Sequence, residues 1–178
     1  MSSRLLIVDR DGVINEESPE FIKTLEEWHP IPGSLEALAA ASQAGFRVFI
    51  VSNQSGIARG LIQVGELQRI HARLVGEVQR LGGRIDGILF CPHGPDDGCR
   101  CRKPRPGMLE EIALRTGTRM ADAIFVGDRL SDLEAARAVG AHAVLVETGH
   151  GRDTLARLPA PERLNVYPDL GAVVRRLQ

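Results

Sequence analysis

The 178-residue sequence contains only three cysteines, one tryptophan and one tyrosine. An odd, small cysteine count with no secretion signal ahead of it excludes a disulfide framework. Aromatic residues make up 4% of the chain, too few for a base-stacking surface. An excess of one charge is missing too: 22 Lys and Arg stand against 23 Asp and Glu, for a formal charge of −1. That balance leaves no basic footprint for nucleic acid or an acidic membrane. No apolar run approaches the ~20 residues needed to span a bilayer. The N-terminal LLIV is too short for a signal-peptide core and meets an acid at once. These absences lead us to expect a cytoplasmic protein, a monomer, formed as one domain over residues 1–178.

What is present is an alternation of strands and helices. Residues 4–8, 47–53, 84–92, 122–128 and 141–149 read as buried aliphatic strands, and LNVY (164–167) as a short sixth. Between them, LEALAAASQ, stopped by Gly45, reads as a helix. So does the stretch 65–83, where Leu67, Ile70, Leu74, Val78 and Leu81 recur at helical spacing. Pro106 suits the first turn of a third helix, GMLEEIALRTG, and 131–140 and about 169–177 read as two more. Such alternation predicts an α/β fold: a Rossmann-like parallel sheet with helices on both faces and no insertion long enough for a separate cap.

Open parallel sheets bind ligands beyond the carboxyl ends of their strands. That rim would gather Asp9, Asp11, Ser52, Asn53, Asp128 and the loop after Cys91. Asp9 and Asp11, two positions apart after a buried strand, are expected on one side, where their charges repel. Hard carboxylate oxygens suit Mg²⁺, which would offset that repulsion. Hydroxyls, amides and the cations Arg102 and Lys103 suit an anion, above all a phosphoryl group. There is no GxxxxGK[ST], so a P-loop is excluded, and a carboxylate nucleophile or a metal-bound water must handle the phosphate.

The cysteines form a second constellation. CPHGPDDGCRC places Cys91, His93, Cys99 and Cys101 within one loop, at about 91–101, and uses every cysteine in the chain. Three thiolates and an imidazole match a closed, structural Zn²⁺ site. The loop has few apolar residues, so metal binding would order it and fix the two cations that follow.

Taken together, DRDGVIN, VSNQSG, the RKP of CRCRKPRPGM and VGDRLSD resemble, in order, the four motifs of the haloacid-dehalogenase-like (HAD-like) phosphatases. With CPHG they resemble a narrower group, the D-glycero-D-manno-heptose-1,7-bisphosphate 7-phosphatases and histidinol-phosphate phosphatases. The resemblance implies that Asp9 attacks phosphorus while Asp11 serves as acid and then base. It implies that Ser52 and Lys103 bind the phosphoryl group. Mg²⁺ would sit on Asp9, Asp11 and Asp128, with Asp11 contributing through its backbone carbonyl. Arg102 and Arg129 would contact the rest of a phosphorylated sugar. Glu17, Ser18, Pro19 and Glu20, and Ser52, Asn53, Gln54 and Ser55, would line the pocket. The activity implied is Mg²⁺-dependent removal of the 7-phosphate of heptose 1,7-bisphosphate, supplying heptose for lipopolysaccharide. Histidinol-phosphate hydrolysis is the alternative, and a non-catalytic zinc-stabilised module a more distant one. Asp132 reads equally as a helix-start residue or a support for the site. His29, His71 and His142 have no partner pattern, and His150 follows a strand end without one.

Overall fold

Leu5, Leu6, Ile7 and Val8 are fully buried, because the strand they form, β1 (Leu5–Asp9), has neighbours on both edges and helices over both faces. The computed structural model describes residues 4–158 and 164–178. Its elements follow in the order β1, α1 (Ser34–Gln43), β2 (Arg47–Asn53), α2 (Val64–Arg80), β3 (Gly87–Cys91) and α3 (Gly107–Thr116). Then come β4 (Ala123–Gly127), α4 (Leu130–Ala138), β5 (His142–Val146), α5 (Gly151–Arg157), β6 (Asn165–Tyr167) and α6 (Leu170–Leu177). The six strands form one sheet in the order β3-β2-β1-β4-β5-β6, and every pairing is parallel.

Strand alternation sorts the core into two layers. Leu6, Val8, Val48 and Ile50 pack with Leu38 of α1, Ile70 and Leu74 of α2 and Val173 of α6. Leu5, Ile7, Phe49 and Val51 face the other way, against Leu109 and Ile112 of α3 and Ala135 and Ala136 of α4. Burial on both faces is why these strands read as unbroken apolar runs. Nothing among the described residues forms a separate cap, and no described helix is long and apolar enough to cross a membrane.

Two expectations need correction, and one helix was not foreseen. β3 begins at Gly87, not 84, because the Asp86 carboxylate accepts the Val48 N–H at 2.9 Å and takes the place of a strand carbonyl. β5 stops at Val146, so that residues 147–149 turn toward the site. The helix α5 has no apolar periodicity to announce it. It starts where the backbone presses on the sheet: a Cβ on Gly151 would lie 1.6 Å from the Val146 carbonyl oxygen.

Candidate active site

The parallel register ends β2 and β3 level, with Asn53 opposite Cys91, and sets Asp9 at the end of β1 opposite Val51, two residues short of the end of β2. Asp128 follows β4 immediately. Four ionisable groups, Asp9, Lys103, Asp128 and Asp132, meet at this rim, all nearly or wholly buried. Lys103 Nζ lies 2.8 Å from Asp9 Oδ1 and 2.6 Å from Asp132 Oδ1. Asn53 places this lysine by gripping its backbone, accepting the Lys103 N–H and donating to the Lys103 carbonyl, both at 3.0 Å. Asp9 Oδ1 also accepts the Arg10 N–H at 2.8 Å. Its Oδ2 has no donor among the described residues.

Carboxylate oxygens of Asp9, Asp128 and Asp132 lie within 4.8 Å of one another. Burial, with Asp132 and Asp128 alongside, holds the Asp9 carboxyl well above its ordinary value, against the pull of Lys103. Burial and Asp132 push Asp128 up to about 7. Lys103 is raised despite its burial, by Asp132 and Asp9. With all three carboxylates ionised against one ammonium, the cluster would carry a net charge of −2. Asp128 Oδ1 is buried without a hydrogen-bond donor. A hard divalent cation answers both the excess charge and the unpaired oxygen, so the residues present fit Mg²⁺. Two glycines make the space: a Cβ on Gly12 or Gly149, both at positive φ, would approach Asp128 Oδ2 to 2.2 or 2.3 Å.

The Asp11 carboxylate lies outside this carboxylate cluster. The strand ends at Asp9, and alternation ends with it. Asp11 instead accepts from Arg10 Nε and Nη2 at 2.8–3.0 Å, from Asn15 Nδ2 at 2.9 Å and from Gln54 Nε2 at 2.8 Å. Burial raises its carboxyl, but Arg10, Asn15 and Gln54 outweigh that and hold it below the usual range. It still borders the same cavity as Asp9. Arg10 is only 1% exposed and absent from the sequence reading, since nothing local distinguishes it from a surface arginine. Asp132 supplies the third carboxylate of the cluster. Its Oδ2 accepts the N–H groups of Asp128 and Arg129 at the start of α4, while Oδ1 meets Lys103. It therefore fills both of the roles that sequence left open.

The cavity above these groups has a volume of about 740 Å³. Glu17, Ser18 and Pro19 form one side, and Asn53, Gln54 and Ser55 another. Arg102, Lys103 and Arg129 also face it. Two expected lining residues do not. Glu20 is exposed outside it, near Lys23, and Ser52 is buried below it, where its hydroxyl accepts from Gln54 Nε2 at 3.3 Å. Phe21, Arg105 and His150 line it without having been foreseen. His150 donates its backbone N–H to Asp128 Oδ2 at 2.8 Å, and its Nε2 lies 2.7 Å from Glu17 Oε2. Glu17 Oε1 also accepts from Arg129 Nη2. Phe21 has φ of 66°, a conformation uncommon for a bulky side chain. His71, turned against Phe90 at 5.8 Å between ring centres, is pushed down to about 4 by burial, and its role is packing.

Beside the cavity, Cys91 Sγ, His93 Nδ1, Cys99 Sγ and Cys101 Sγ lie within 4.8 Å of one another, with neighbours 3.3–3.6 Å apart. A tetrahedron of Zn–S bonds of about 2.3 Å has edges of about 3.8 Å. Burial pushes Cys91 up to about 12. A thiol so reluctant to ionise alone is stabilised as thiolate by a cation.

Similarity to known proteins agrees with this geometry. The HAD-hydrolase-like family profile matches residues 100–173. The D-glycero-beta-D-manno-heptose-1,7-bisphosphate 7-phosphatase of Pseudomonas aeruginosa is 54% identical over 99% of both chains. That of Bordetella bronchiseptica is 48% identical over 98% of this chain and 97% of its own. The solved structure of the B. bronchiseptica D,D-heptose 1,7-bisphosphate phosphatase, complexed with magnesium and phosphate, superposes with a TM-score of 0.94 over 98% of this chain and 97% of that one. The Burkholderia thailandensis D,D-heptose 1,7-bisphosphate phosphatase, 38% identical over 98% and 97%, gives 0.77. Identity of this depth along nearly the whole length makes the chain a member of the HAD-like hydrolases, in the D-glycero-D-manno-heptose-1,7-bisphosphate 7-phosphatase family.

Proposed function

We propose that this protein is a magnesium-dependent phosphatase that removes the 7-phosphate of D-glycero-D-manno-heptose 1,7-bisphosphate by way of a phosphorylated Asp9. The observation that carries the reading is the convergence of Asp9, Lys103, Asp128 and Asp132 beneath a cavity bordered by further cations. Asp9, Asp128 and the backbone carbonyl of Asp11 would hold Mg²⁺, with Asp132 beside them. When bound, the ion supplies positive charge that lets a carboxylate approach a phosphate dianion.

The chain's own residues divide the chemistry. Asp9 Oδ2 attacks phosphorus as the bond from phosphorus to the sugar oxygen breaks, and Asp11 gives that oxygen its proton. A water then attacks the phosphorylated Asp9 and loses its proton to Asp11, and phosphate leaves. Lys103 carries positive charge to the oxygens on phosphorus, where most of the developing charge lies. The donors around Asp11 favour its carboxylate, the form that accepts the water's proton. For the first step they must release it to carry a proton toward the sugar.

Arg102 and Arg129 border the cavity, as expected for an anionic sugar phosphate, although Glu17 already engages Arg129. Histidinol phosphate would bring an ammonium group to the same cations, and charge disfavours it. Cys91, His93, Cys99 and Cys101 would hold a structural Zn²⁺ that orders the loop leading to Lys103. These groups converge at one rim of one sheet, which supports a single catalytic domain.

The test is phosphate release from heptose 1,7-bisphosphate and from histidinol phosphate, with and without Mg²⁺. We expect Mg²⁺-dependent turnover that favours the heptose. Asp9→Asn should lose at least about 10³-fold in kcat, as loss of a nucleophile does. An Asp9→Asn protein with full activity overturns the covalent mechanism, and preference for histidinol phosphate overturns the substrate.

A further inference from the structure

The cations around the cavity differ in how far they are already neutralised. Lys103 is engaged by Asp9 and Asp132, and the Arg129 guanidinium by Glu17, which also faces the His150 ring. Two cavity-lining guanidinium groups remain, Arg102 and Arg105. Neither has a carboxylate partner among the described residues. They stand at the two ends of one tight turn, closed by the Arg105 N–H donating to the Arg102 carbonyl at 2.9 Å. Lys103 lies between them in sequence.

Both side chains rest on the cysteine loop. Arg102 Nη1 donates to the His93 carbonyl at 3.4 Å, and Arg105 Nη1 donates to the Cys99 carbonyl. The two accepting residues also contribute ligand atoms to the Cys₃His cluster. Each guanidinium therefore spends one N–H on the backbone of the loop and keeps its remaining donors for a ligand. A planar fork aimed by one anchored N–H is well suited to a phosphate.

An anion arriving at Arg129 must first displace Glu17. One arriving at the turn of Arg102 and Arg105 displaces no carboxylate. We propose that Arg105 is a substrate-binding residue that, with Arg102, receives the phosphate at the end of the sugar remote from Asp9, the cysteine loop serving as the backing for both. This deepens the phosphatase reading and rests on it.

The experiment compares kcat/KM for heptose 1,7-bisphosphate and for heptose 7-phosphate, which lacks the remote phosphate, using the metal-loaded full chain. Wild type, Arg105→Ala and Arg105→Lys are measured side by side. Arg105→Ala should lose roughly ten- to hundredfold with the bisphosphate, mainly through KM, the scale of a lost charge-assisted hydrogen bond. It should change little with the monophosphate, which doubles as the control for an intact fold. Arg105→Lys should recover part of the loss, since it restores the charge without the fork. Equal losses with both substrates, or no loss with either, overturn the role. A wild type that cleaves both at one rate has no remote anion site and overturns this inference alone. A wild type inert toward both overturns the functional reading beneath it.

Discussion

The two clusters that could hold metal ions are built on different supports. Asp9 and Asp128 leave the ends of buried strands, and Asp132 leaves the first turn of α4, so the sheet holds their backbones whether or not an ion is present. Cys99 and Cys101 lie in a loop without regular secondary structure, between β3 and α3. Of its four ligands, Cys91 is the one rooted in a strand. The first cluster is a concentration of like charge that the fold tolerates, and the second is a set of soft donor atoms that the proposed zinc would make rigid. The lesson is that one rim combines a preformed site with a conditional one, coupled through Arg102, Lys103 and Arg105.

The sharpest way to break this comparison is to remove the conditional half. Cys99→Ser should abolish zinc retention and, by loosening Lys103, lower kcat/KM by roughly a hundredfold or more. Amide exchange should rise across 91–105 while β1 and β2 stay protected. Loss of protection throughout the sheet would show that the loop supports the fold and not only the site. Metal analysis of the wild type should find about one zinc per chain.

The preformed half is best probed with protons. Asp128, pushed up to about 7, must be ionised to hold Mg²⁺, so protons and the ion compete. Magnesium affinity measured by calorimetry should therefore weaken as pH falls below about 7, by up to about tenfold per unit. A flat profile from pH 6 to 8 would mean that Asp128 is not a ligand.

The smallest effect concerns stability. A buried acid whose folded value is raised binds more protons folded than unfolded between about 4 and about 7, so its contribution falls as pH rises through that window. At pH 7.5 in chelator, Asp128→Asn should raise the melting temperature by a few degrees while losing Mg²⁺-dependent activity. A lower melting temperature would show that hydrogen bonding by Asp128 to the His150 N–H outweighs the repulsion it relieves.

Residues that act through their neighbours in sequence were legible before any coordinates. Asp9 follows its strand directly, Cys91, His93, Cys99 and Cys101 share one loop, and Lys103 stands two residues beyond the last cysteine. Arg10, Arg105 and His150 were not legible as site residues, and Asp132 only as one of two readings, because each matters through a partner on another element or beyond the end of a regular one. Arg10 looks like any arginine until it is found buried against Asp11, and Asp132 could have been an ordinary helix-start residue. Asp11 shares the cavity with Asp9 but not its carboxylate cluster, for a local reason: strand geometry no longer applies past the last paired residue.

Sequence by itself determined the α/β alternation, the place of Asp9 at the end of its strand, the cysteine cluster and the order of the motifs, since these depend on periodicity and short spacing. Only the tertiary structure decided which third carboxylate joins Asp9 and Asp128, and which cations remain unpaired around the cavity. Pairing is a property of distances between elements. Because Coulombic attraction and desolvation change steeply over a few ångströms, those distances exist only once the sheet has been assembled.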